Sequence, residues 1–326
     1  MLTTTTTPQG AHPAAKLRPQ PSSHTAPQRD ATQATAARTP LWSAARQLTA
    51  AHAKEFFKYW RKVAKSFDAE DIHDLRVASR RLREALALFA DCFPEKTVRR
   101  LRKRVKQVTG ILGEMRNTDE ALLFFGSLSS TEREPAQAEL DLLAAQLQKE
   151  REAARQKLAK DLGNLRPTPL KRAIRSELAG PELFGNRRTD PFQSLAIFAD
   201  EALARRAAPV ADLLPQALFE ANAGAQHRLR IAIKRLRYRL EILEALFTRD
   251  YQELHAALKG YQEVLGKLHD LDVFADLVLH RVEDGSGQQH LLRVITARRS
   301  RLFAEFRHKL DQISVDAIGP RARRAL

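Results

Sequence analysis

The sequence predicts an all-α fold: a single helical bundle built from two repeat halves, preceded by a disordered tail. Three observations carry this. From Leu41 onward apolar residues recur with helical period almost everywhere, and no alternating Val/Ile/Thr-rich run competes as a strand. Ala, Leu, Arg, Lys and Glu dominate, while aromatic residues make up only 6% of the chain, a composition that favours helices. Finally, two segments recur in the same order and nearly the same register.

Residues 1–40 are read as disordered. TTTTTPQG, PQPSSHTAPQ and ATQATAARTP offer almost no large apolar side chain to offset the entropy of ordering. Amphipathic stretches then run over 41–66, 71–92, 95–124, 131–162, 190–208, 210–220, 224–247, 250–281 and 287–314. Breakers separate them: Pro94, the stretch from Gly163 to Pro169, Gly180-Pro181, Gly185, Pro191, Gly224, Gly285 and Gly287. The folded domain is placed at 41–318, with halves of about 41–188 and 189–318.

The repeat is direct. HDLRVASRRLR from His73 matches HRLRIAIKRLR from His227 at His, Leu, Arg, Ala, Arg, Leu and Arg. LGEMRNTDEALL from Leu112 matches LGKLHDLDVFAD from Leu265. Duplication of a helical unit explains this, with the halves related by a pseudo-twofold axis. A solenoid would need more and shorter repeats.

The repeated helices carry a chemical pattern. With about 100° per residue, His73, Arg76, Arg80 and Arg83 share one stripe. Leu75, Ala78, Leu82, Ala85, Leu86 and Phe89 lie opposite. The second copy repeats this with His227, Arg230, Lys234 and Arg237, backed by Leu229, Ala232, Leu236, Leu240 and Leu243. Arg81 and Arg235 flank the stripes. Like charges at i,i+3 and i,i+4 weaken a helix by a few tenths of a kcal/mol each. Such a conflict, made twice, marks a functional face that an anion would relieve. Arg presents a fork of donors suited to phosphate oxygens, and a histidine beside phosphates is pushed toward its charged form. On the next helix Arg99, Arg102, Lys103 and Lys106 share a face. In the second half only Lys259 answers, with His255 opposite Arg102.

Charge and motifs narrow the function. Lys plus Arg total 55 against 39 acids, a formal +16, so the partner is a polyanion. Cys92 is the sole cysteine, which leaves no internal disulfide or Cys-rich metal site and suits a reducing compartment. No apolar run reaches the roughly 18 residues a membrane helix needs. HExxH, Walker, GxSxG and GxGxxG motifs are missing. A metal or phosphohydrolase site on His269-Asp270 is weakened because the first half has Arg116-Asn117 there. Asp119 and Asp272 are expected to pair with basic neighbours, Gly113 and Gly266 to permit close helix packing, and Cys92, Trp60 and Tyr238 to pack. A nucleic-acid partner is the alternative, set back by the few aromatics for stacking and by the lack of a duplex-docking motif.

At HDLRVASRRLR, HRLRIAIKRLRY, LGEMRNTD and LGKLHDLD the sequence resembles the CHAD family, the conserved-histidine α-helical domain, over roughly residues 42–314. The resemblance implies a helical bundle with internal twofold pseudosymmetry and a basic central groove or pore. It also implies binding of long-chain inorganic polyphosphate and association with polyphosphate granules in the cytoplasm. By position, His73, Arg76, Arg80, Arg83, His227, Arg230, Lys234 and Arg237 would line the groove, with Arg102, Lys103, Lys106 and Lys259 beside them. Some relatives carry a triphosphate-tunnel domain that supplies catalysis. The short polar tail here leaves no room for one, so the expectation is binding without enzymatic activity and without a cofactor.

Overall fold

The computed structural model describes residues 37–178 and 189–326. The expected disorder of the tail concerns residues that lie, up to 36, outside the described ones. Helix starts follow from local chemistry. Pro40 precedes α1 (Leu41–Ser66). Asp68 caps α2 (Ala69–Leu88), its carboxylate accepting from the Glu70 and Asp71 amides. Pro94 precedes α3 (Glu95–Gly126). A one-turn helix with a Ser129/Glu132 capping box leads to α4 (Gln137–Asn164).

The second half starts with α6 (Leu195–Ala217), capped by Ser194. Asn222 caps α7 (Ala223–Ile242). Next come α8 (Tyr251–Arg281), α9 (Ser286–Gln312) and α10 (Val315–Arg324). The last described helix of the first half is α5 (Pro167–Glu177).

Three elements differ from the sequence expectation. α5 begins inside the stretch read as a breaker, because proline at the first helical position costs no hydrogen bond and presets φ. α6 runs unbroken through Pro209 and Pro215. Both prolines are exposed, as are Arg205 and Ala211 four residues earlier, so water can serve the freed carbonyls. α10 follows the last expected helix and contains position 318, where the domain was expected to end.

Packing follows the same order twice. α1 lies on α2, α2 on α3 and α3 on α4; α6 lies on α7, α7 on α8 and α8 on α9; α2 and α7 touch each other across the middle. Leu75, Leu82 and Leu86 on α2 and Leu229, Leu236 and Leu240 on α7 are all 0% exposed, which is the apolar backing the stripes require. Truncating any one to alanine should cost about 2–5 kcal/mol. A separate smaller core joins the far ends of α3, α4, α8 and α9 around Phe125, Leu140, Phe274 and Leu291. Phe124 stacks on Phe274 there, with ring centroids 4.7 Å apart.

Among the described residues there is no strand. An isolated antiparallel bridge pairs Pro40 with Ser194. The Leu195 amide donates to the Thr39 carbonyl at 3.0 Å and the Leu41 amide to that of Gln193 at 2.9 Å, so the two halves are tied where each begins.

Candidate functional site

The two stripes meet in one cleft. Arg76 and Arg80 from α2 and Arg230 and Lys234 from α7 line it, together with Lys267, His269, Asp270 and Phe274 from α8 and Asn117 and Glu120 from α3. Its five cations outnumber the carboxylates Glu120, Glu263 and Asp270. Arg76 is held rigidly: its guanidinium donates to the Leu112 carbonyl at 2.6 Å and only 7% of the residue is exposed. A Cβ at Gly113 would stand 3.6 Å from Arg76 Nη1, an ordinary contact, and one at Gly266, in the cleft wall, would meet nothing within 4 Å, which corrects the expectation of close helix packing at both glycines.

Further along α2 the positive field concentrates. Arg83 is pushed below the ordinary arginine range by burial and by the nearby charges of Arg102, Arg80 and Arg235. Arg102 is on α3 and Arg235 on α7, so like charges from three helices converge on Arg83. Local repulsion of this kind is what an anion would relieve.

His269 in the cleft wall pairs with His227 of α7. His227 Nδ1 and His269 Nδ1 are 3.1 Å apart, so one ring donates and the other accepts. Burial, then Arg230, His227 and Lys234, push His269 down to about 4. Burial, Arg230 and Lys234 lower His227 against the opposing pull of Asp272. Without an anion, both rings are therefore held toward neutrality. Among the described residues no group of three His, Cys, Asp or Glu side chains is gathered as a metal ion would need.

The remaining sequence candidates lie elsewhere. His73 is exposed in the first turn of α2, and Arg102, Lys103 and Lys106 are exposed on α3. Lys259 is exposed and stands 3.8 Å from Glu263. Arg237 is turned inward. It donates to Gln262 at 2.9 Å, pairs closely with Glu241 and lies over the Tyr238 ring. The side chain of Arg116 lies outside the described residues. Asp272 pairs with Arg299 at 2.6 Å and Asp119 with Arg151 at 2.5 Å, as expected of acids beside basic neighbours. Cys92, Trp60 and Tyr238 are buried.

Sequence reasoning missed the seam that fixes the stripes relative to each other. Glu84 of α2, with a side chain 9% exposed, takes Arg239 of α7 at 2.8 Å and Arg206 of α6 at 3.0 Å. Glu241 of α7 takes Arg81 of α2 at 2.8 Å, along with Arg237 and His255. Burial pushes the Glu241 carboxyl up, but Arg237, Arg81 and His255 outweigh it and leave it below the usual glutamate range. Burial, offset in part by Glu84, brings Arg239 down to about 10. The only sequence signal was that Glu84 and Glu241 interrupt otherwise basic or apolar runs.

The model of the CHAD domain family matches residues 22–279. Among solved structures the chain is similar to the CHAD domain from the plant Ricinus communis: 25% identity, 89% of this chain and 93% of that one covered, TM-score 0.59. It also resembles in fold PptA from Streptomyces chartreusis, at 16% identity with 88% and 100% covered and a TM-score of 0.58. No match is found among curated proteins.

Proposed function

Because the chain belongs to the CHAD domain family, we propose that it binds inorganic polyphosphate without turning it over, in the cleft between α2, α7 and α8. One observation carries the reading: Arg76 and Arg80 of the first stripe and Arg230 and Lys234 of the second line the same cleft. A linear polymer lying there meets cations from both halves, and its second contact is intramolecular. Arginine forks suit its oxygens, and its charge offsets that of the five cations lining the cleft. Association with polyphosphate granules follows from that affinity. No helix among the described residues is long and apolar enough to cross a membrane.

The test is competition among long polyphosphate, short oligophosphate, heparin and single-stranded DNA at fixed salt, on the parent and on Arg80→Gln/Lys234→Gln. Long polyphosphate should win, and the variant should weaken it by at least ~10-fold, since a charge-assisted hydrogen bond is worth roughly 1.5–3 kcal/mol. Equal competition by heparin or DNA would refute the reading.

One observation favours a second reading, metal-dependent phosphohydrolysis: His269 and Asp270 stand side by side in the cleft wall. It predicts orthophosphate release with Mg²⁺ or Mn²⁺ that disappears in His269→Ala/Asp270→Ala. The binding reading predicts none above the blank.

A further inference from the structure

A second groove lies between α1 and α5 and shares no lining residue with the cleft. Arg46, Lys54 and Arg61 of α1 and Lys171 and Arg175 of α5 line it, and among the described residues no carboxylate does. All five are exposed. Among the described residues none of them forms an ion pair with a carboxylate, although the Arg61 guanidinium donates to the Phe57 carbonyl at 3.3 Å. Other surface arginines behave differently. Arg321 pairs with Glu253, Arg323 with Asp200 and Arg281 with Glu150. The groove is also more single-signed than the cleft, whose lining includes three carboxylates.

Its shape suits a slender anionic chain. From Arg46 to Arg61 the cations run along about 22 Å of helix at 1.5 Å per residue. Phe57 and Ile174 beneath them are buried, so the exposed ends of the groove wall are the five cationic side chains. The recognition chemistry is charge and guanidinium forks, which fit phosphate oxygens.

We propose that the α1–α5 groove is a second, separate site for a condensed-phosphate chain. The protein is then divalent and can cross-link polyphosphate. This rests on the polyphosphate reading of the cleft. Two separate sites raise avidity for one long chain and, at high protein, bridge different chains.

The experiment uses the full chain. Calorimetry with tripolyphosphate counts sites, and light scattering with long-chain polyphosphate reports cross-linking. Arg61→Gln/Lys171→Gln/Arg175→Gln should lose one of two tripolyphosphate sites, keep the other and no longer scatter. Its affinity for long chains should fall by about 10²-fold, the lower range of lost avidity. Lys149→Gln/Arg155→Gln/Lys160→Gln, an equal charge loss on exposed positions of α4, should change neither readout. If the groove variant keeps both sites and its scattering, the inference is overturned while the cleft reading stands. If the parent binds no tripolyphosphate, both fail together. An equal loss in the α4 variant, or tighter capture of single-stranded DNA than of polyphosphate at the groove, also overturns it.

Discussion

The histidine pair makes a quantitative prediction about pH. His269 is pushed from its ordinary 6.5 down to about 4, first by burial and then by Arg230, His227 and Lys234. Between those values the unfolded chain takes up a proton that the folded chain refuses. The stability contribution is therefore fully present above about pH 6.5 and is lost as pH falls toward about 4. At 1.36 kcal/mol per pH unit that window has a ceiling of about 3.4 kcal/mol. His269 is partly exposed, and solvent screening reduces this to roughly 1.5 kcal/mol, or about 2–3 °C in Tm for a protein of this size. The proton also disrupts geometry, because two protonated rings cannot share the 3.1 Å Nδ1–Nδ1 hydrogen bond. The assay is a melting series from pH 7.5 to 4.5 on the parent and His269→Gln, where the difference between the two curves isolates this group. A bound polyanion reverses the sign at the site by neutralising Arg230 and Lys234 and favouring the charged rings. Polyphosphate binding should then take up protons and tighten as pH falls from 7.5 to 5.5, with a slope approaching one log unit per pH unit for each ring. Superimposable melting curves for parent and variant, or parent affinity flat across that range, would refute the reasoning.

Glu84→Gln leaves Arg239, whose side chain is 5% exposed, without its carboxylate; a loss of about 3 kcal/mol is expected from denaturant unfolding, and a loss under 1 kcal/mol would show that the seam is not electrostatic. Polyphosphate affinity should fall with salt by about 0.7 log units per log unit for each phosphate neutralised, so the five cations of the cleft predict a slope of roughly −3; a slope near zero contradicts an electrostatic cleft. Arg237→Gln should act mainly on the fold, lowering Tm through Glu241 while changing polyphosphate affinity less than Arg80→Gln, as titrations of the two variants would report.

What could be read from the sequence follows what periodicity encodes. Leu75, Leu82 and Leu86 announced one buried face of α2, and helical geometry then forced Arg76, Arg80 and Arg83 onto another. Periodicity gives the angle of a residue about its own helix. It does not say which neighbouring helix that angle meets. Arg237 shares the stripe of Arg230 and Lys234, yet it sits nearer the seam with α2 and is consumed by Glu241 and Gln262. Arg81 and Glu241 are 160 positions apart, and no local pattern reports such a pair. α5 was hidden for another reason: Pro167 and Pro169 break a helix from within but start one well. The groove beside α5 was hidden with it.

The repeat itself both revealed and concealed the site. Aligning the halves sets His227 against His73 and His269 against Arg116. That alignment drew attention to the basic stripes. It also set His269 aside, as a position the first half does not keep. The hydrogen bond from α7 to α8 needs histidine at both ends, and only the second half has both. A proton-sensitive contact can therefore belong to one half alone, even though the first half sends two cations and the second half three into the shared cleft. The cations converge on the cleft from both halves, whereas the histidine pair lies on its α7–α8 side alone.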